Sequence, residues 1–357
     1  MKILLFIDSL GGGGAQRQLV GLAKMLKERD YDVKVAVYHD LPYYLPLLEA
    51  SKIPVRLVYG SAAKRICSFY KLTKSYKPDW VISYLESPSL IACIVKLLTR
   101  YKLIVSERNT SQIFDRTTHI RFEFFRLADY VVPNAYSQEK FIAINAPYLK
   151  HKTLTINNFV DTELFRPGPK YGNRNHIQEI VVAASIWKPK NTLKFIEAIG
   201  LLVKKYKRFH VSWYGKVPEH HEYVSECLAL IDSMGVSNYI SLNDKTQNIR
   251  EIYQVADLFC LPSFYEGTPN VIGEAMSCGL PIVCSDVCDN SIYVESGENG
   301  FLFNPKSSLD MSEKLYQALM LTDMAYQNMC KSSYNKAIKL FSAKKFIDRY
   351  LTIIENL

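Results

Sequence analysis

The stretch Glu266-Gly267-Thr268-Pro269-Asn270-Val271-Ile272-Gly273-Glu274 carries two carboxylates eight positions apart, with Leu258-Phe259-Cys260-Leu261-Pro262 in front. The apolar run reads as a buried strand, Gly267 and Pro269 as a turn, and the residues after them as a helix start. Asn270 is placed to cap that helix, which carries Val271, Ile272, Ala275 and Met276 on its buried side. Backbone amides at a helix start, with the positive end of the helix dipole, favour an anion such as phosphate. Carboxylates on either side of the turn accept hydrogen bonds from different hydroxyl-rich parts of one ligand. A nucleotide-sugar offers that pattern, a sugar on each side of a diphosphate.

Glu266 through Glu274 reproduces the E-x7-E element of retaining glycosyltransferases, and Met276-Ser277-Cys278-Gly279-Leu280-Pro281-Ile282-Val283 continues the likeness. The chain resembles the GT-B retaining glycosyltransferases of family 4, or group 1, which include sucrose synthases and bacterial surface-polysaccharide assembly enzymes. Two glutamates alone would signal little, because Glu is common on exposed helix faces. The whole run from Leu261 to Asp286 is far more specific. The resemblance implies an α/β chain of the GT-B kind: two facing doubly wound Rossmann-like domains with an interdomain cleft.

At 357 residues and 48% hydrophobic, the chain is long enough for two domains with substantial cores. No apolar run reaches the roughly 20 residues of a membrane-spanning helix, and the nearest, Leu90 to Leu98, is broken by Lys96. Lys2 leads directly into a short strand-like run ending at Asp8, so no signal peptide is read and a cytoplasmic location is expected. The eight cysteines form no CxxC pair and read as reduced, mostly buried thiols. Cys284 and Cys288 have no neighbouring His to complete a tetrahedral set, so neither metal nor cofactor is expected. Of the net charge of +9, the segment from Ser61 to Tyr130 carries 12 Lys and Arg against 6 Asp and Glu. Nucleic acid, anionic lipid and a plainly solvated basic face all suit such a segment. The aromatic and apolar residues interleaved there (Phe69, Tyr70, Tyr76, Phe122, Phe124, Phe125) favour peripheral contact with the anionic inner face of the membrane over nucleic acid.

From the N-terminus, Lys2 to Ile7 reads as a buried strand, and Gly11-Gly12-Gly13-Gly14-Ala15-Gln16-Arg17 opens an amphipathic helix to about Arg29. Such a glycine loop lets a phosphate approach the backbone. It lacks the third glycine of a dinucleotide-binding loop and the Gly-Lys-Ser/Thr of a Walker A loop. It resembles the G-G-A-E-R loop of many GT-B enzymes, with Gln16 in place of Glu. Strands at 32–38, 55–58, 80–84, 103–106 and 130–132 alternate with helices near 63–75, 88–98, 118–127 and 136–145, a parallel doubly wound pattern. Ligands of such sheets bind beyond the carboxyl ends of the strands, which sets Gly11 to Gly14, Glu86-Ser87 and Glu107-Arg108-Asn109 along one rim. Leu154 to Asp161 reads as a last strand before a Pro/Gly-rich linker, and resembles the I-x-N-G-V-D segment of the family with Phe159 at the glycine position. The domains are therefore expected at 1–165, with a C-terminal helix of about 343–357 crossing back, and at 166–342. The second domain restarts at Ile180 to Ala184, with a helix from about Asn191 and strands near 209–214, 239–242, 257–261, 281–284 and 300–303. Apolar residues at helical spacing run from Leu309 to Lys339 and from Phe346 to Ile354.

The resemblance further implies transfer of a hexose or N-acetylhexosamine from a nucleotide-diphosphate sugar, with retention, to a lipid-linked saccharide acceptor in capsule or O-antigen synthesis. It implies catalytic roles for Glu266, Lys190 and Arg108. Gly13, Gly14, Glu274, Thr268, Pro269 and Asn270 would bind the donor. Lys190 matches the family lysine that neutralises the diphosphate, whereas Ser185 stands where an arginine is usual and Ala184 where a glycine is. Lys188, Arg17 and Lys216 are the candidate replacements for that charge. Arg108 stands where many relatives carry a histidine, and an arginine suits an acceptor bearing phosphate. Two further readings remain open on sequence: a nucleotide-sugar epimerase of GT-B-like fold, and a nucleotide-sugar-binding protein without transfer. An epimerase needs additional acid and base carboxylates, and the run from Leu261 to Asp286 argues against it; Ser185, which removes a usual phosphate ligand, keeps the binding protein open.

Overall fold

Lys2–Phe6 forms the first strand (β1), and Ile3 to Phe6 are buried on both faces, as a run without alternation requires when helices cover both sides of a parallel sheet. The computed structural model describes residues 1–108, 112–174, 176–216 and 222–355. After β1 come α1 (Gly14–Lys27), β2 (Asp32–Val37), α2 (Leu45–Ala50), β3 (Val55–Leu57), α3 (Ala62–Tyr76) and β4 (Trp80–Tyr84). Then follow α4 (Glu86–Lys96), β5 (Lys102–Glu107), α5 (Arg116–Phe125), β6 (Tyr130–Pro133) and α6 (Tyr136–Asn145). All pairs in this sheet are parallel, in the order β3-β2-β1-β4-β5-β6.

The same order recurs further on. The elements are β7 (Gln178–Ala183), α7 (Thr192–Val203), β8 (Phe209–Tyr214), α8 (Glu222–Ser233), β9 (Ile240–Asn243), α9 (Ile249–Val255) and β10 (Leu258–Leu261). They continue with α10 (Asn270–Ser277), β11 (Ile282–Ser285), α11 (Asn290–Tyr293), β12 (Gly300–Phe303), α12 (Ser308–Leu319) and α13 (Asp323–Leu340). This second parallel sheet runs β12-β11-β10-β7-β8-β9, so β10 stands beside β7 as β4 stands beside β1. In each sheet the first and fourth strands are neighbours whose onward connections leave in opposite directions, the switch point at which doubly wound sheets bind ligands.

The chain divides into two compact units, Met1–Asn158 with Lys344–Leu357, and Phe159–Ala343. The last helix, α14 (Ala343–Glu355), belongs to the first unit, where Phe346, Ile347, Tyr350, Ile353 and Ile354 are buried and Tyr350 Oη lies 3.0 Å from Tyr84 Oη. Arg349 Nη1 of the same helix donates to the Thr155 carbonyl at 2.5 Å.

Three sequence expectations are corrected. Leu154 to Asp161 is not a strand: Thr153 makes an isolated bridge to Val131, and the Leu154 and Ile156 amides reach the Val131 and Pro133 carbonyls, but regular pairing stops there. The apolar run Leu309 to Lys339 is two helices, broken between Leu319 and Asp323, where Thr322 caps α13 by accepting from the Ala325 amide. The aromatics proposed for a membrane surface are core residues. Phe69, Tyr76, Phe122 and Phe125 are buried in the first unit's cluster, with Phe6 stacked on Phe69 at 4.2 Å, and Tyr70 and Phe124 pack against it. Their spacing on α3 and α5 marks the faces that cover the sheet, while Lys71, Lys74 and Lys77 point to solvent. Among the described residues no helix is long and apolar enough to cross a membrane.

Candidate active site

In the second unit the loops after β7 and β10 meet at the switch point. Asn191 joins them: it adopts a left-handed conformation (φ 62°, ψ 36°), which Asn tolerates better than most residues, and its buried amide donates to the Pro262 carbonyl at 3.0 Å and to that of Pro305 at 2.8 Å. The Phe264 amide donates to the Pro189 carbonyl at 2.9 Å. These bonds bring a 3-10 turn, Lys188–Lys190, against the end of β10, and Lys190 Nζ lies 2.6 Å from Glu266 Oε1. The buried Ser263 hydroxyl donates to the same oxygen at 2.6 Å. Lys190 and Glu266 retain side-chain exposures of 29% and 12%, so the pair opens to solvent. An ammonium has three donors, and a bond to Glu266 leaves capacity for phosphate oxygens.

Glu274 is buried on α10, beside Ile272, Ala275 and Met276 in the core. The helix approaches its neighbours closely at Gly273, where an added Cβ would stand 2.8 Å from Val160 Cγ2 and 3.1 Å from the Phe341 ring. Pro269, not Asn270, occupies the cap position (φ −72°, ψ 108°), and Asn270 is the first helical residue. A proline fits there because it has no amide to satisfy, and the Ile272 amide bonds its carbonyl at 3.1 Å. Thr268 is buried, with its hydroxyl 3.2 Å from Tyr293 Oη. Ser185 is exposed and brings no charge, while Lys188 and Lys216 are exposed lysines of the neighbouring loops. Burial pushes the Cys284 thiol well up, and that of Cys278 up to about 12, which keeps both protonated and unreactive beside the site.

In the first unit Gly13 holds the cap position of α1, and the Arg17 amide bonds its carbonyl at 3.1 Å. Gln16 folds back over it, donating from Nε2 to Asp8 Oδ1 at 2.9 Å, and a Cβ at Gly13 would lie 2.2 Å from Gln16 Oε1. A side chain at position 13 would displace the end of Gln16 from that place. Gly14 begins the helix, whose first turn has no acidic residue to compete with an anion. Arg108 follows β5. Its Nε donates to Ser106 Oγ at 2.8 Å, Nη1 to Asn158 Oδ1 and Nη2 to Tyr350 Oη at 3.3 Å, with the guanidinium 4.3 Å from the centre of the Tyr84 ring. These partners are neutral, so the charge is held in place without being cancelled by them. Asn109, assigned to the same rim, lies outside the described residues.

Lys190, Glu266, Glu274, Thr268, Pro269 and Asn270 therefore belong to the second unit, and Gly13, Gly14 and Arg108 to the first. Sequence reasoning missed the Lys190 to Glu266 ion pair, which joins residues 76 positions apart. It also missed Leu85, between β4 and α4, whose φ of 71° and ψ of 165° fall where glycine is nearly alone, at a cost of order 1–3 kcal/mol. A leucine gives no warning of such a turn. Among the described residues no group of three His, Cys, Asp or Glu could hold a metal ion.

Residues 177–320 match the family model described as glycosyl transferases group 1. Over 99% of this chain and 98% of its own length, a Campylobacter jejuni protein is 23% identical: GalNAc-alpha-(1->4)-GalNAc-alpha-(1->3)-diNAcBac-PP-undecaprenol alpha-1,4-N-acetyl-D-galactosaminyltransferase. An Escherichia coli UDP-Gal:alpha-D-GlcNAc-diphosphoundecaprenol alpha-1,3-galactosyltransferase is 26% identical over 95% of this chain and 80% of its own. Among solved structures, Anabaena Alr3699/HepE in complex with UDP and glucose superposes with a TM-score of 0.88 at 20% identity, all of both chains being covered. With the group 1 glycosyl transferase match confined to residues 177–320 of the second unit and the fold shared over the full length, the chain carries a group 1 glycosyltransferase domain within a GT-B fold.

Proposed function

We propose that the protein is a retaining glycosyltransferase that moves a hexose or N-acetylhexosamine from a nucleotide-diphosphate sugar to a lipid-linked saccharide during surface-polysaccharide assembly. The observation that carries this reading is similarity, over 95% or more of this chain, to two enzymes whose names specify undecaprenyl-diphosphate-linked acceptors. The polar site at the second sheet's switch point supports it. In this reading Lys190 stabilises the leaving diphosphate together with the amides from Thr268 to Asn270, Glu266 orients the donor sugar through its hydroxyls, and Glu274 holds the ribose. In the first unit Gly13 and Gly14 serve the donor phosphates and Arg108 the acceptor's phosphate.

Retention follows a front-face route. The bond from the anomeric carbon to the diphosphate oxygen breaks, the acceptor oxygen bonds to the same face, and the acceptor proton passes to the leaving phosphate oxygen. The charge that develops on that phosphate meets donors already aimed at it, so neither a protein base nor a metal ion is needed. The protein works in the cytoplasm, peripherally at the inner face of the membrane.

A thermal-shift panel of nucleoside diphosphates and their sugars identifies the donor, because a ligand of the native state raises its stability by mass action. Transfer to a polyprenyl-diphosphate N-acetylhexosamine is then followed by NMR of the new linkage, in excess EDTA. The expected product keeps the donor's anomeric configuration. An inverted product, or activity that vanishes in EDTA and returns with Mg or Mn, overturns the mechanism, and binding without transfer to any acceptor leaves a nucleotide-sugar-binding protein.

A further inference from the structure

Glu86 opens α4 at the switch point of the first sheet, directly after β4. By strand order β4 is the counterpart of β10, so Glu86 holds in the first unit the place that the loop of Glu266 holds in the second. The left-handed turn at Leu85 delivers it to the carboxyl edge, where its side chain is 38% exposed. Beneath it lies Arg121, whose side chain is 3% exposed and whose Nη1 donates to Glu86 Oε2 at 3.2 Å. Arg121 Nε stands 3.5 Å from Oε2 of Glu107, which is 3% exposed in turn. One oxygen of Glu86 is thereby fixed, and among the described residues Oε1 has no hydrogen-bond partner. On the adjacent strand Ser106 pairs with Tyr84, so Arg108 and Glu86 each stand two residues beyond a paired position. Arg108 also rests on the Tyr84 ring.

From this arrangement we infer that Glu86 binds the acceptor, its Oε1 accepting a hydrogen bond from a sugar hydroxyl while Arg108 takes the acceptor's phosphate. An oriented carboxylate with an open lone pair selects a donor such as a hydroxyl and repels an anion. A saccharide joined to a phosphate offers both groups that this edge can recognise. The assignment rests on the glycosyltransferase reading above, and adds to it a carboxylate that neither the E-x7-E element nor the glycine loop contains.

The test compares wild type, Glu86→Ala and Glu86→Gln with a short-chain polyprenyl-diphosphate N-acetylhexosamine and with versions lacking one sugar hydroxyl at a time. Both variants should raise the acceptor KM at least tenfold and leave the donor KM within twofold. One deoxy acceptor should lose as much with wild type as the normal acceptor loses with Glu86→Ala, and lose nothing further with the variant. Glu86→Gln keeps the side chain's volume, so a melting temperature close to wild type separates lost binding from lost folding. If wild type prefers a soluble saccharide, the same comparison is made on it. An acceptor KM within twofold of wild type in both variants, or a donor KM that rises in parallel, overturns the inference alone. A wild-type protein that transfers to no saccharide overturns it together with the activity on which it rests.

Discussion

Lys190 and Glu266 share one short ion pair, so each is in part the other's ligand. Because both remain partly exposed, the pair adds little to folding stability, and its weight falls on the site's charge. In the proposed function a diphosphate drawing on Lys190 would meet an ammonium already oriented, with Ser263 still bonded to the carboxylate. Glu274 lies deeper, on the buried face of α10. Glu274→Ala is therefore expected to weaken binding of the nucleoside diphosphate itself, whereas Glu266→Ala mainly lowers turnover. Each loses a charged hydrogen-bond partner, at ~1.5–3 kcal/mol. Calorimetry with the nucleoside diphosphate alone checks this, and an equal loss in both variants would contradict the division of labour. The turn and helix start that separate Glu266 from Glu274 are legible in sequence because the spacing is local. The pairing of Lys190 with Glu266 is not, since it depends on where two loops far apart in the chain are brought together.

Those loops are joined by Asn191, which makes this one amide an element-scale device. Asn191→Ala removes two buried hydrogen bonds and forces a Cβ residue into a left-handed conformation, while Asn191→Gly loses the bonds but keeps the conformation easily. Alanine is expected to destabilise the second unit by about 1–2 kcal/mol more than glycine does, the cost of left-handed backbone for an L-residue. Chemical denaturation measures the difference, and equal losses would show that the turn holds no strain. The alternation of strands and helices could be read from the sequence because buried strands in parallel sheets are apolar without interruption. The segment after Leu154 shows where that rule stops. Its apolar residues Ile156 and Val160 are buried, yet regular pairing with β6 ends near Thr153. Composition reports burial, and pairing needs a partner still within reach. The Asn270 cap failed for a similar reason: Asn and Pro both favour helix starts, and the one with no amide took the earlier place.

For the whole molecule, the proposed membrane contact is the consequential question. Lys74, Lys77 and Arg100 line a groove of about 790 Å³ with Leu98 at the amino ends of β1, β4 and β5, and Leu97 and Leu98 are exposed beside it. Arg108 and Glu86 occupy the opposite edge of that sheet, where Leu41, Tyr43, Ile113 and Phe114 are exposed on the loops after β2 and β5. Reversing Lys71, Lys74 and Lys77 to Glu is expected to reduce salt-sensitive binding to anionic vesicles, each cation near such a surface contributing about 1 kcal/mol. Co-sedimentation checks this. Undiminished binding, lost instead on changing Tyr43 and Phe114 to Ser, would move the contact to the carboxyl edge. Sequence located the excess charge correctly but assigned it the wrong apolar neighbours, because α3 and α5 turn their aromatics inward. The return of α14 to the first unit bears on biosynthesis. Tyr84 and the residues around it cannot gain Tyr350 until the whole second unit has been synthesised, a delay on the order of ten seconds at ribosomal speed. During that interval the nascent first unit exposes the apolar surface that α14 will cover, and the second unit, encoded without interruption, is free to fold before the first is complete.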